Sequence, residues 1–600
     1  MTVFPLQYLV LPAPDPGSAG AVYFHSTGQV MRMPDEPALH LGPGAQLRLD
    51  SYFNLFSYGK WRTLCDLQSL VLQLSGQGTA MLEVICEGAD GSKGLLYTGP
   101  VDLDAGTDIA LPPPEDAYAD GVIYVVLSAG QVPVVLRGAI FATTDAPRRI
   151  PRLALCITTF RREAAVRRTA VRIARFLDRS VFGDQMHLFV VDNGDSAALP
   201  EHPGISRIVN ANLGGAGGFA RGLLEAEAAG FSHVVFMDDD AAIHMEAIQR
   251  TYALLAMAHD ANLAVAGAMV TTREPWRTWE VGARFDGRCR PQFSGVDLRL
   301  PDEVIALEID SNRTACETTY GGWWFFAFSV ASVMRYPFPF FVRGDDVNFS
   351  LANPFRIVTL NGVISVAEDF TDKESPLTWY LDLRSHMVHH MTLEKMERGA
   401  LGVARIGVWF FLRNLVRFQY DTLAAILLAW EDVMRGPGFF DEHADMARRR
   451  TQIKALARTE EWRPLTMLDM KERVRFQAAT GWKRHFFRVM GNGHLLPFFA
   501  LWGNRVVVPP DQRAGYGLVW GAARITYLNT AGDMGFQTVH SKGRFLYLSA
   551  RMIWILLRFL WRYRALRTAY RHAYPKMASV AFWRQKLGLV PLRGDKTHEA

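Results

Sequence analysis

The stretch His233-Val234-Val235-Phe236-Met237-Asp238-Asp239-Asp240 constrains this chain more than any other. Valine and phenylalanine suit a buried strand, and a strand that stops in adjacent acids places them at the carboxyl edge of its sheet. In a doubly wound sheet that edge is where ligands bind. Three like charges there repel one another, and a divalent cation is the usual remedy. The competing reading is an acidic turn capping a helix that starts near Ala241, since Asp is a favoured N-cap.

The surrounding chain favours the ligand-binding reading. Leu153 to Ile157 reads as a buried strand, followed by polar Thr158-Thr159-Phe160-Arg161-Arg162 and a helix through Phe176. The strand His187 to Val191 and the turn Asp192-Asn193-Gly194 come next, before the Asp238 strand. Strands separated by helices predict a mostly parallel α/β sheet, with the three polar loops converging at one edge. Upstream, residues 1–148 alternate apolar and polar residues between Gly, Pro and Asp turns, as in Ala80 to Cys86 and Gly121 to Leu127, which predicts a β-sandwich. The aromatic stretch Tyr52 to Trp61 is read as core in preference to a sugar platform. Pro147-Arg148-Arg149-Ile150-Pro151 marks the boundary; the α/β domain is expected over 149–400 and a helical region over 401–600.

Composition excludes several function classes. With 600 residues, several domains are expected, and 49% apolar residues suffice for their cores. A formal net charge of +5 without a concentrated patch argues against a nucleic-acid partner. Cys65, Cys86, Cys156, Cys289 and Cys316 lack paired spacing and read as reduced intracellular thiols. The N-terminus has no signal-peptide pattern, and no stretch reaches the roughly 20 apolar residues of a spanning helix.

Each polar loop offers a chemical role beside an ordinary structural one. Thr159 and Arg162 stand where a helix N-terminus and a guanidinium suit diphosphate oxygens. A carboxylate at Asp192 can accept from a base N–H or a ribose hydroxyl. Asn212-Leu213-Gly214-Gly215-Ala216-Gly217-Gly218 is glycine-rich enough for backbone to approach a ligand, or is simply a flexible loop. It fits neither the Rossmann fingerprint nor a Walker loop, so NAD and ATP are poor candidates. Asp345-Asp346, behind Arg343 and opening a helix, supplies a candidate general base. Trp323 and Trp324, after two glycines, are either sugar platforms or core.

Together these loops resemble the nucleotide-sugar fold, GT-A, of inverting family-2 glycosyltransferases. That resemblance makes Asp238 and Asp240 the metal pair for Mn²⁺ or Mg²⁺ and puts Asp239 on the sugar–ribose side. A closer resemblance is to the polymerising galactofuranosyltransferases of actinobacterial cell walls. It rests on Thr159-Phe160-Arg161-Arg162, the glycine run, Asp238-Asp239-Asp240, Gly322-Trp323-Trp324, Asp345-Asp346 and Thr371-Asp372-Lys373-Glu374, in the family's order. It implies UDP-galactofuranose as donor, contacted by Thr159, Arg162, Asp192, Asn212, Gly215, Asp238 and Asp239. The implied acceptor is a glycan or polyprenyl-linked glycan near Trp323, Trp324 and Asp345, with Asp346 as base.

The chain departs from that family where a histidine ligand is expected: Ser365 to Phe370 contains none, and Glu368 becomes the substitute. A second family histidine becomes Asp382. His386, His389 and His390 read as solvent-facing or core residues on a helix. Arg551, Arg558 and Arg562 share one helix face, with an apolar body between them, and predict C-terminal basic amphipathic helices on an anionic membrane surface. The implied setting is the cytoplasmic face of the inner membrane, with the C-terminal region also serving assembly as a homo-oligomer. Transfer of another sugar such as rhamnose, and a non-catalytic glycan-binding protein, are the alternatives.

Overall fold

The computed structural model describes residues 3–12, 20–33, 35–240, 242–313, 316–368, 370–468, 481–513 and 515–589. The chain divides into two compact units: Met1–Asn212, Gly218–Arg335 and Phe349–Glu368 form one, and Leu213–Gly217, Tyr336–Asn348 and Asp369–Ala600 the other.

The first unit opens with two antiparallel sheets. One runs Val30–Arg32, Leu39–Leu41, Val134–Thr143, Leu70–Gln77, Thr107–Leu111 in spatial order, and Phe4–Tyr8 also pairs with Val134–Thr143. The other runs His25–Thr27, Gln46–Arg48, Val122–Ala129, Thr79–Glu87, Lys93–Asp102. The period of two places Leu70, Leu72 and Leu74 of the first, and Ala80, Leu82 and Val84 of the second, in one shared core. Residues 1–148, expected to form a β-sandwich, thus contribute two antiparallel sheets to one core.

Beyond it lies a seven-stranded sheet. Its strands are β1 (Leu153–Thr159), β2 (Met186–Asp192), β3 (Ile205–Val209), β4 (His233–Asp238), β5 (Leu263–Ala266), β6 (Phe325–Ser329) and β7 (Arg356–Val358), in spatial order β3-β2-β1-β4-β6-β5-β7. All pairs are parallel except those made by β6, which runs antiparallel to both neighbours. β1, β2 and β4 read as unbroken apolar runs because both faces are covered. Helices α1 (Glu163–Arg179), α2 (Gly214–Ala228) and α3 (Met245–Met257) make the connections.

Tyr52, Leu55, Phe56 and Trp61 are fully buried, as expected of core, and their segment holds the sandwich to the α/β part. Lys60 Nζ meets Glu308 Oε2 at 2.6 Å with both side chains out of solvent. Arg250 donates to the Phe53 carbonyl, and Asn361 Nδ2 to the Leu55 carbonyl at 2.6 Å.

In the second unit, α4 (Asp345–Ala352) begins, and α5 (Pro376–Thr392), α6 (Gly399–Leu415) and α7 (Tyr420–Arg435) follow. Ser375 and Thr378 close a reciprocal capping box at the start of α5. A shorter helix, α8 (Gly481–Val489), precedes the 36-residue α9 (Lys542–Met577). The buried face of α9 is Leu548, Met552, Ile555, Phe559, Tyr563, Leu566, Tyr570 and Tyr574, spaced three and four apart. The region expected to be helical also contains a four-stranded sheet, ordered Arg463–Pro464, Met534–Val539, Ala522–Leu528, Asn504–Val508. Val506, Val508, Ile525 and Tyr527 are buried there, and strands this short leave little periodic signal among the arginines. Among the described residues no helix is long and apolar enough to cross a membrane.

Candidate functional site

Register brings one group of candidate residues together. Thr158 of β1 pairs with Asp238 of β4, and Thr159 with Asp192 of β2, so three parallel strands end together. Asp238 is exposed at that edge, Asp239 turns inward, and Asp240 is half-buried. Thr159 Oγ1 donates to Asp239 Oδ2 at 2.8 Å, and Thr169 Oγ1 to the Asp239 carbonyl at 3.0 Å. Arg162, immediately before α1, spans two of the three acids: Nη1 lies 3.0 Å from Asp239 Oδ1 and Nη2 2.6 Å from Asp240 Oδ2. Burial raises the Asp239 carboxyl; Thr159 and Arg162 oppose that, and Asp240 adds to it. Burial also disfavours the Arg162 charge, but Asp239, Asp240 and Glu368 outweigh it and hold the guanidinium above its ordinary value. Thr159, Arg162, Asp239 and Asp240 are thus one cluster, with Arg162 as its counter-charge and the exposed Asp238 next to it in the chain.

Asp192 does something other than the donor contact read from the sequence. Its carboxylate is fully buried and accepts N–H bonds from Gly194, Ser196 and Ala197, while Arg207 Nη2 donates at 2.7 Å. Burial alone would raise this carboxyl, but those amides and Arg207 hold it below the usual range. With its lone pairs spent, Asp192 organises the 193–197 loop. Asp192→Asn should destabilise the first unit by about 2–4 kcal/mol, because an amide replaces an acceptor facing several donors. Urea denaturation checks this; a variant with unchanged stability and lost donor affinity would restore the donor role.

The glycine run also differs from expectation: it is the first turn of α2, not a loop. Gly214 has φ +70°, and a Cβ there would meet the Phe341 carbonyl oxygen at 2.1 Å. Gly218 lies on Thr158, where a Cβ would meet the Thr158 side chain at 2.2 Å. The glycines let the helix press close, and the requirement comes from packing. Gly215, half-buried, borders Asp345: a Cβ would lie 3.2 Å from Asp345 Oδ2. Asn212, also half-buried, precedes this turn.

Asp345 and Asp346 open α4 at the end of a strained loop. Phe341, Arg343 and Gly344 have φ of 74°, 67° and 86°. A non-glycine residue held at such angles is a strain kept by its surroundings, and this cost concentrates at functional sites. The surroundings are specific: Ala216 N–H donates to the Phe341 carbonyl, Arg384 to the Phe340 carbonyl, and Arg343 Nη1 lies 3.2 Å from Asp382. Burial, then the neighbouring Asp346 charge, pushes the Asp345 carboxyl well up. Asp346, half-buried, accepts from Val347 N–H at 2.8 Å and is pushed up to about 6 by burial, with Arg343 opposing. Both carboxyls are thereby pushed above the ordinary range, the buried Asp345 well up and Asp346 to about 6, so the pair holds protons more tightly than exposed carboxylates do.

Behind this loop lies a network with no sequence signature. Tyr574 OH donates to Asn348 Oδ1 at 2.7 Å, and Asn348 Nδ2 lies 3.2 Å from His389 Nδ1. Burial holds His389 well below its ordinary value and therefore neutral. His386, His389 and His390, expected to be solvent-facing or core, are all buried.

Trp323 is a correction. It is 6% exposed and enclosed by Phe219, Phe236 and Phe349, with ring centroids 4.9, 5.2 and 5.9 Å away, so its faces belong to the core and not to an acceptor. Trp324 is half-buried; its Nε1 donates to the Gly267 carbonyl at 2.9 Å, and its ring lies where a Gly322 Cβ would be. Glu368 is exposed just after Ile364–Ala367, and Val366 N–H bonds to the Ala242 carbonyl. Glu368 thus follows a strand tied to the segment that leaves Asp240. Among the described residues no group of three or more His, Cys, Asp or Glu side chains converges on one point as a metal cage. The hard oxygen donors Asp238 and Asp240 nevertheless suit Mg²⁺ or Mn²⁺, which is commonly held by one or two carboxylates plus substrate phosphate and water.

No family model matches the chain. It is 25% identical over 470 residues to the galactofuranosyltransferase GlfT2 of Mycobacterium tuberculosis, covering 72% of each protein. To the galactofuranosyltransferase GlfT2 of Mycolicibacterium smegmatis it is 26% identical over 472 residues, covering 72% of this chain and 71% of that one. Among solved structures, GalNAc-T7 with UDP, GalNAc and Mn²⁺ aligns with 43% of this chain and 51% of that one, at 8% identity and a TM-score of 0.30, too low to carry weight.

Proposed function

We propose that this chain, a glycosyltransferase by its similarity to the galactofuranosyltransferases along 72% of its length, transfers galactofuranose from UDP-galactofuranose to a glycan or lipid-linked glycan with inversion. The reading is carried by Asp238, exposed at the carboxyl edge of β4 beside Arg162, Asp239 and Asp240. Asp238 and Asp240 would hold a divalent cation, with Glu368 as a further oxygen donor. When bound, that cation acts as a Lewis acid on the departing diphosphate.

The chain's own residues do the rest. Thr159 and Arg162 fix the inward Asp239 and set the charge of the edge. Arg162 can exchange its carboxylate partners for diphosphate oxygens through the same planar fork. Asp346 takes the acceptor hydroxyl proton as that oxygen attacks the anomeric carbon. Asp345, whose carboxyl burial pushes well up, lies beside it on the acceptor side, and half-buried Trp324 offers a partial apolar face for the sugar.

We place the protein peripherally on the cytoplasmic face of the inner membrane. Leu546, Tyr547, Ile553, Trp554, Leu557 and Trp561 form an exposed apolar face on α9, supporting an interfacial helix. Arg558 and Arg564 are exposed on the same helix, whereas Arg551 meets Glu431 at 2.6 Å and is spent within the fold.

A panel of nucleotide sugars with oligosaccharide acceptors tests the reading. UDP release is expected from UDP-galactofuranose in the presence of acceptor and Mn²⁺. Release only from a rhamnosyl donor would move the assignment within the class, and release from none would remove it.

A further inference from the structure

A cavity of about 470 Å³ lies in the second unit, apart from Asp345 and Asp346 in the chain and sharing no residue with their loop. Its walls include Trp409, Leu412, Arg413 and Trp520, with Arg484 and Arg488 contributed by α8. Three guanidinium groups thus meet two indoles and an aliphatic wall. Among the described residues no carboxylate and no side-chain amide lines the space. A neutral glycan or a nucleobase would leave its hydroxyls or base edges unread in such a site, because reading them takes amides and acids.

The cavity is held open by its surroundings. Arg413 stacks over the Trp409 and Trp379 rings at 5.3 and 4.9 Å, and Arg417 over Tyr516 at 5.2 Å. Asn492 Nδ2 donates to the Val416 and Val519 carbonyls at 2.7 and 2.9 Å, and its Oδ1 accepts from Gly521 N–H, tying the turn after α8 to both walls. Among the described residues the buried Trp520 Nε1 has no acceptor, leaving one oriented donor. Arg484 and Arg488 are exposed, and the chain continues from Gly491 into Leu495, Phe498 and Leu501, which are 60–84% exposed. Positive charge and an aromatic-aliphatic bed therefore lie side by side.

We propose that this cavity binds an anionic lipid, with Arg413, Arg484 and Arg488 on its phosphate or diphosphate and the indoles and Leu412 on its first isoprenoid or acyl carbons. The site goes beyond the transferase reading and is tested without turnover. Calorimetric titration of the full chain would compare geranylgeranyl diphosphate in non-ionic detergent with geranylgeraniol, inorganic diphosphate and UDP. Because charge and apolar body contribute separately, the prenyl diphosphate should bind about tenfold or more tighter than either fragment. Arg484→Glu with Arg488→Glu should weaken it by about tenfold or more. Leu412→Trp, a substitution at a half-exposed wall residue, should weaken it by filling the space.

Phosphatidylglycerol vesicles, set against phosphatidylcholine vesicles, separate the sources. Sensitivity of vesicle binding to these substitutions identifies a bilayer lipid, and sensitivity confined to the prenyl diphosphate identifies a carrier lipid; either supports the site. Equal affinity for inorganic and prenyl diphosphate would overturn it. So would UDP as the ligand lost on Arg484→Glu, or affinities unchanged in variants whose melting curves match the parent.

Discussion

Asp346→Asn should cut turnover by about 10²–10⁴-fold while leaving affinity for the UDP-sugar within about twofold, the loss expected when a positioned general base is removed. The amide keeps an oxygen for the Val347 N–H, so the start of α4 should survive. Rapid-quench assays of UDP release, paired with donor titration, separate the two quantities. A glycan-binding protein without catalysis would have no turnover to lose. The same residue sets a pH dependence. Burial raises its carboxyl to about 6, and only the ionised form can accept a proton. The rate should therefore be level above about pH 7 and fall nearly tenfold per unit below about pH 6. Asp346→Asn abolishes that limb together with the rate, whereas Asp382→Asn, by removing a negative neighbour, should move it to lower pH.

Asp238→Asn should also remove at least about 10²-fold of turnover, and with it the response of donor affinity to Mn²⁺, since charge at the departing diphosphate would go uncompensated. Asp238 is exposed, so folding stability should change by no more than about 0.5 kcal/mol. UDP titrations with and without Mn²⁺, on parent and variant, check this. A parent whose UDP affinity ignores Mn²⁺ would separate the acidic edge from cation binding. Asp240→Asn should act less cleanly, because it also breaks the 2.6 Å contact with Arg162.

The positions of Asp238 at a strand end and of Asp346 at a helix start were legible because local patterns carry that information. An apolar run closed by carboxylates marks the end of β4, and strand–helix alternation predicts the parallel pairs that set Thr158 beside Asp238 and Thr159 beside Asp192. What stayed hidden depended on long-range partners. Asp192 was assigned to the donor because nothing in its own turn shows that Arg207, fifteen residues on, folds back onto it. Arg162 was matched to a ligand's phosphates, whereas residues nearly eighty positions away supply its present acids. The glycines of α2 looked like a loop because close packing on Thr158 leaves the same signature as flexibility. Trp323 and Trp324 are neighbours in sequence with opposite fates, and only the alternation of a strand entry separates core from edge.

The ionic contact between Lys60 and Glu308 has a consequence for any effort to shorten this protein. Burial depresses the ammonium, and it persists because the carboxylate lies 2.6 Å away. Whereas Lys60→Met alone would leave a buried, uncompensated charge of the kind that costs about 3–5 kcal/mol, cutting away the first 148 residues would remove the ammonium from Glu308 and also strip the cover from its surroundings. Arg250 and Asn361 would lose carbonyl acceptors at the same stroke. The sandwich is thus not a detachable cassette to be exchanged among enzymes. It is a foundation wall that the transferase sheet needs in order to stand.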